Sequence, residues 1–307
     1  MTLELLQQYL YKVYSKDTCY PLCRDDWNDS NPTLGHCAIV SLIVNDYFGG
    51  DIYKIKVDGV SHYFNLIDNK VVDLTSSQFN KEIDYNGKIK KDRLEILQKD
   101  TLSRYKLLKM RLQLIIEDED IHNCNLCNDM IEKFPNNKTV SIGRRNDIVI
   151  LGEAPANNGW RKSGIAWYDV NHKLLPSGVV LQKLLDEINL KIEDTFFLEA
   201  IKCYPKDRKY LNKCSENCKK YLFKQLEIIK PKIVLSLGDA ATKSILGFKY
   251  KKFSDVVGKA FYSITNFKFS TIIKYLIFCA FSFIMYIFFN NFINNFIKSS
   301  IIFQSRS

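Results

Sequence analysis

A chain of 307 residues with 25% charged and 46% hydrophobic side chains has room for two ordinary domains and the balance of one that folds. That excludes a mini-protein, a collagen and a disordered tail. Lys and Arg number 44 against 34 Asp and Glu, and the formal charge of +10 favours a polyanionic partner such as a nucleic acid without establishing one.

Residues 1 to about 113 mix helix and strand signals. Apolar periodicity predicts a helix from Leu3 to Val13, and a second from Cys37 towards Tyr47, stopped by Gly49-Gly50. Alternating runs over Asp51–Val57 and His62–Ile67, joined at Asp58-Gly59, predict a hairpin, with a third strand at Val71–Leu74. A charged helix is expected from Lys91 to Glu117. Cys37 at a helix start, His62 at a strand start and Asp73 after the next strand have the chain order of a Cys-His-Asp site, in which the helix N-terminus, an imidazole and a carboxylate activate a thiol. A small buried residue at 37 and a satisfied core histidine at 62 are the plainer reading.

Gly35-His36-Cys37-Ala38, Asp46 to Gly50, Ser61-His62-Tyr63-Phe64-Asn65, Val72 to Phe79 and Arg104 to Leu108 resemble the little-characterised YunG-like family over most of residues 5–113. That likeness implies an α+β domain related to papain-like and transglutaminase-like folds, and names no substrate.

Further along, strand and helix patterns alternate. Strands are expected at Asp147–Leu151, Thr195–Leu198 and Pro231–Leu237, and helices at Val179–Ile188, Glu216–Ile229 and from an Asp239 cap to Leu246-Gly247. Such alternation implies a parallel sheet with its site at the carboxyl ends of the strands, which puts Gly152-Glu153-Ala154-Pro155 and Gly238-Asp239 on one rim.

Nine cysteines at short spacings, behind an N-terminus with no basic region and apolar core, point to metal or catalytic thiols in a reducing, cytoplasmic compartment. Cys124-Asn-Leu-Cys127 precedes the first strand of the second part, Cys203 follows the next, and Cys218 is expected to open a helix. Four thiols from separated loops could meet, with Cys214 as a competitor; two unrelated thiol pairs are the alternative.

Cys124-x-x-Cys127, Asp147 to Pro155, Ile201-Lys202-Cys203, Cys218 to Leu222 and Lys230 to Gly238, in that order, resemble the iron–sulfur uracil-DNA glycosylases often called family 4, over about residues 120–259. The likeness implies a three-layer α/β domain around a parallel sheet and DNA as the partner. It also implies a structural 4Fe-4S cluster held by Cys124, Cys127, Cys203 and Cys218. The implied reaction is hydrolysis of the N-glycosidic bond of uracil or another deaminated base in base-excision repair. In that scheme Glu153 activates water and Trp167 stacks on the flipped base where the family usually has Phe; independently of the likeness, the basic Arg161 and Lys162 between Gly159 and Gly164 suit phosphate contacts. A capping carboxylate, a core tryptophan and a solvated loop are the competing readings.

Two departures weaken the likeness. Glu199 stands where the family pattern has the Asn that reads the uracil edge, and a carboxylate lacks the amide's donor unless protonated. The family's His-Pro-Ser loop is also absent, since His172 is the last histidine, and losing a stabiliser of the departing anion costs about two to three orders of magnitude in rate. Weakened or absent excision is expected. The alternatives are a non-catalytic DNA-binding or sensing module, or a thiol hydrolase carried by the first domain.

No acidic residue follows Asp255, and 23 uncharged residues at 275–297 match a bilayer-spanning length, although Asn290, Asn291, Asn294 and Asn295 interrupt them. The expected organisation is 1–113, 114–259 and an apolar low-complexity tail at 260–307. That tail reads as a frame-shifted terminus or, alternatively, a membrane anchor giving membrane contact. Lys268, Lys274, Lys298 and Arg306 fall within it, leaving +6 for residues 1–259.

Overall fold

Leu6, Tyr9, Leu10 and Val13 recur at helical spacing and are buried along one face of α1 (Leu3–Val13), whose first turn is capped by the Thr2 hydroxyl. The computed structural model describes residues 1–133, 138–156, 160–246, 249–257, 259–266 and 272–280 of the chain. It divides into two units, Met1–Ile116 and Glu117–Ser307.

In the first unit α2 (Cys37–Phe48) buries an unbroken run from Ile39 to Val44. β1 (Asp51–Val57) and β2 (Val60–Ile67) form the expected hairpin, β3 (Lys70–Val72) extends it, and β4 (Ile89–Lys91) adds to the other edge in the antiparallel order β3-β2-β1-β4. Asn65 of β2 donates to the Ser41 carbonyl of α2 at 3.0 Å, fixing the sheet to the helix. The single helix expected from Lys91 is in fact two. Lys91 is engaged in pairing β4 with β1, Asp92 caps a one-turn α3 (Arg93–Ile96), and the chain leaves helical geometry at Leu97 before α4 (Lys99–His122).

The second unit is built on a six-stranded sheet. Its strands are β6 (Val140–Ser141), β7 (Ile148–Gly152), β8 (Phe196–Glu199), β10 (Ile233–Leu237), β11 (Ala260–Asn266) and β12 (Ile272–Ala280). The order is β11-β12-β10-β7-β8-β6. β12, β10, β7 and β8 run parallel, while β6 and β11 are antiparallel edges. β7 is buried at all five positions, as a central parallel strand requires. A separate two-residue pair joins β5 (Ile131–Glu132) to β9 (Tyr204–Pro205).

The helices of this unit are α5 (Trp160–Ser163), α6 (Pro176–Asp186), α7 (Leu211–Ile229) and α8 (Asp239–Ile245). α7 starts five residues before the expected Glu216, so Cys218 lies within it rather than at its start. Gly238, at φ +94°, takes the cap position of α8 that Asp239 was expected to fill.

The sheet runs on past residue 259, where the end of the likeness and the change in composition placed the start of a tail. Residues 281–307, which hold most of the 275–297 stretch, lie outside the described residues. Among the described residues no helix is long and apolar enough to cross a membrane.

Candidate functional site

Because β7 and β10 are parallel neighbours, Gly152-Glu153 and Gly238-Asp239 leave the sheet at the same rim. From β7 the chain goes on to β8 on one side, and from β10 to β12 on the other, so the order reverses between these two loops. Such a switch point is where open α/β sheets bind ligands.

Gly152 pairs with Glu199, its carbonyl accepts from Ala200 N at 2.9 Å, and the Glu153 carbonyl accepts from Ile201 N at 3.0 Å. The two post-strand segments are therefore stitched together. A Cβ at Gly152 would meet the Phe197 ring at 3.0 Å and Glu199 Cγ at 3.6 Å. Phe197 and Glu199, two residues apart on β8, share that face. Trp167 stacks obliquely on Phe197, centroids 4.6 Å apart and planes at 58°. It is half-buried at the edge of the core formed by Ile150, Leu185 and Leu235. Its backbone is left-handed at φ +71°, strained for an aromatic residue, and its buried indole N–H has no partner among the described residues. Trp167 thus combines core packing with an unspent donor.

The Glu153 carboxylate is half-buried and accepts from Arg208 Nη2 at 3.1 Å. Glu199 is buried, and burial pushes its carboxyl up to about 8, only partly countered by the Lys202 ammonium. Lys202 Nζ in turn donates to the Glu199 carbonyl at 2.6 Å. At neutral pH Glu199 is therefore mostly protonated, with a hydroxyl donor and a carbonyl acceptor. Lys162 is exposed on α5, and the Arg161 side chain lies outside what is described.

Below this rim Cys124, Cys127, Cys203, Cys214 and Cys218 line a single pocket. Cys214 and Cys218 are successive turns of α7, Cys124 and Cys127 follow α4, and Cys203 follows β8. These five, like Cys19, Cys23 and Cys37, are free thiols. Asn217 Nδ2 donates to Cys127 Sγ at 3.1 Å, and the Tyr221 hydroxyl and the Lys202 backbone N–H lie near the Cys124 and Cys218 thiols. Burial pushes the Cys203 and Cys214 thiols up to about 12. No group of three His, Cys, Asp or Glu among the described residues has an arrangement that could hold a metal ion, so convergence is to a shared pocket and not to ligand geometry. Donors aimed at sulfur nevertheless suit thiolates, the form that binds metals. Ala154 and Tyr210 pack against this thiol cluster, which ties it to the loop of Glu153 and the turn of Arg208.

In the first unit the chain order Cys37, His62, Asp73 becomes a contact. His62 Nε2 lies 2.6 Å from Asp73 Oδ2, and the Cys37 thiol is near enough to the ring to help raise the imidazole's pKa. Cys37 is the first residue of α2, and its sulfur lies 3.9 Å from the Ser61 carbonyl.

Sequence reasoning passed over Phe197, Arg208, Asn217, Tyr221, Gln78 and Tyr85 as functional residues. Asn217 and Tyr221 carried a usable signal, one beside and one within a turn of Cys218. Gln78 sits inside the stretch that resembles the YunG-like family. Arg208 carried none, since only the fold brings it to Glu153, 55 residues away.

Comparison with known proteins gives two family matches. The YunG protein family matches residues 2–117, and the uracil DNA glycosylase superfamily matches residues 141–286. An uncharacterized protein YunG of Bacillus subtilis is 41% identical over 59 residues, 19% of this chain and 51% of its own length. A type-4 uracil-DNA glycosylase of Pyrobaculum aerophilum is 27% identical over 149 residues, 47% of this chain and 71% of the relative. One from Archaeoglobus fulgidus is 28% identical over 147 residues, 46% and 69% respectively.

Proposed function

We propose, from the premise that this chain joins an N-terminal YunG domain to a uracil DNA glycosylase superfamily domain, that its second unit binds DNA and hydrolyses the N-glycosidic bond of uracil or a related deaminated base. The observation that carries the reading is the stitching of the Glu153 loop, after β7, to the end of β8, which bears Glu199 and the Phe197–Trp167 ring pair.

Excision needs a base taken out of the stack, gripped by its edge and face, and a water placed behind the sugar. The Glu153 carboxylate, oriented by Arg208, accepts a proton from that water as its oxygen bonds to C1′, and its charge stabilises the cationic sugar. The C–N bond breaks with its electron pair leaving on the base. Protonated Glu199 accepts from uracil N3–H through its carbonyl and donates to O4 through its hydroxyl, the same pair of bonds an amide would make. Trp167 offers its ring to the base.

The donor set of the thiol pocket suits an iron–sulfur cluster held by Cys124, Cys127, Cys203 and Cys218, with Cys214 adjacent. That group would supply structural anchoring of the loops bearing Glu153 and Arg208, against which Ala154 and Tyr210 pack.

Release of base from uracil-, hypoxanthine- and xanthine-containing oligonucleotides, with Glu153→Ala as control, tests the reading. Excision of at least one base, lost in the variant, is expected. Retained DNA binding with no release from any substrate overturns it in favour of a non-catalytic DNA-binding module, which the lack of any histidine beyond His172 favours.

A further inference from the structure

We propose that the YunG domain carries a second active site, an acyl-transfer centre for amide or ester carbonyls. In it Cys37 is the nucleophile, His62 the base, Asp73 the residue that positions the imidazole, and Gln78 the donor to the carbonyl oxygen.

The geometry begins with Asp73. One oxygen accepts from the backbone N–H and the hydroxyl of Thr75, both at 3.0 Å, and the other accepts from the Tyr85 hydroxyl at 2.9 Å and faces His62 Nε2 at 2.6 Å. The carboxylate is held on both sides, and its pKa lies below the ordinary value: burial would raise it, but the hydrogen bonds and charge of His62 and the bonds from Thr75 and Tyr85 outweigh that. A fixed carboxylate at Nε2 sets the tautomer, with the proton on Nε2 and a lone pair on Nδ1. Nδ1 is then the nitrogen left to take the thiol proton.

Gln78 decides what happens next. Its Nε2 donates to the Thr75 carbonyl at 3.0 Å, which identifies that side of the amide as nitrogen, and its second proton points to His62 Nδ1 at 3.2 Å. Once Cys37 passes its proton to Nδ1, that nitrogen is itself a donor and no longer accepts from Gln78. The amide N–H is thereby released from the imidazole at the moment a thiolate exists. His62 supports such an ion pair: burial alone would lower its pKa, but the hydrogen bonds with Asp73 and Cys37 and their charges raise it to about 9. Phe79 meets the imidazole edge-on at 5.0 Å and walls the site on an apolar side.

The step closes in atoms and charge. The Cys37 sulfur bonds to the carbonyl carbon, and the π pair moves to oxygen, where the freed Gln78 N–H stabilises it. Collapse breaks the bond to the amine or alkoxide, which takes the proton from Nδ1. Water, giving a proton to Nδ1, then hydrolyses the thioester and regenerates Cys37. No oxidant or further reactant is required. The site stands independently of the glycosylase reading, because none of its residues lies in the second unit.

The test uses the full-length chain and p-nitrophenyl acetate. A stoichiometric burst of nitrophenolate is expected, with one acetyl group on the peptide containing Cys37. Cys37→Ser abolishes the burst, and His62→Asn slows it about a hundredfold or more. Gln78→Met, nearly isosteric and without donors, slows acetylation about a hundredfold. It leaves alkylation of Cys37 by iodoacetamide, which builds no oxyanion, within about twofold. A burst that survives Cys37→Ser overturns the proposal. Equal slowing of acetylation and alkylation in Gln78→Met, with the melting curve unchanged, removes Gln78 from its role. Should Gln78→Met melt early, Gln78→Glu, which keeps the shape but not the donor, serves in its place with the same two outcomes.

Discussion

Gly152 and Glu199 stand opposite each other in the parallel register of β7 and β8, and the space a side chain at 152 would need is already filled by the Phe197 ring and the Glu199 stem. The constraint is steric, since Gly152 is not among the glycines with positive φ. Gly152→Ala should push the ring aside at a cost of about 1–3 kcal/mol, lowering Tm by several degrees, and weaken handling of a flipped base more than binding to intact duplex. Thermal melting and paired binding assays check this; an unchanged melt would mean that Phe197 yields freely.

Glu199 predicts a pH dependence of stability. Its carboxyl ionises at about 8 in the fold against an ordinary value of 4.5, because burial disfavours the charge. The unfolded chain therefore binds fewer protons between those values, and the contribution of this group to stability falls as pH rises from about 4.5 to 8. Glu199→Gln removes this dependence and should be more stable than the parent by up to a few kcal/mol at pH 9, with little difference at pH 4. Melting temperature against pH for both proteins is the measurement; parallel curves would contradict a buried, neutral carboxyl.

The thiol pocket predicts a spectrum. Anaerobically purified protein should show a broad band at about 400 nm, lost in Cys127→Ser and Cys218→Ser and kept in Cys214→Ser. Because Ala154 packs against the thiols, the variants that lose the band should also become more susceptible to proteolysis around the Glu153 loop. A colourless protein with bound zinc would assign the thiols to a different metal.

Arg208 separates activity from stability. Its side chain is 81% exposed, so its ion pair with Glu153 contributes little to the fold. Arg208→Ala should leave Tm unchanged yet lower excision about tenfold by freeing Glu153 to rotate. Equal rates in the variant and the parent would show that Glu153 is positioned by its backbone alone.

Much of this arrangement was legible in the sequence because it is local. The periodicity of Leu3–Val13, the alternation around Asp58-Gly59 and the apolar run before Gly152 each report which face is buried, and each element formed where those patterns lie. The Cys37, His62 and Asp73 order was readable for the same reason, since two short strands and a helix start leave few ways to arrange them. What escaped was set by long-range contact. Arg208 reaches Glu153 across 55 residues, Phe197 meets Trp167 across 30, and the charge state of Glu199 depends on burial that no neighbouring residue in the chain announces. The early start of α7 was missed because Leu211-Asn-Lys-Cys offers no cap; Tyr210 precedes it with no side-chain hydrogen bond.

β12 lies against β10 with five residues in register, from Ile233 opposite Leu276 to Leu237 opposite Ala280. A chain cut at residue 259 would leave the amides and carbonyls of β10, apolar but for Ser236, facing solvent, a template on which other chains could grow. By covering that edge β12 would keep β10 from pairing with other chains, and solubility rather than catalysis is the property its removal should change first.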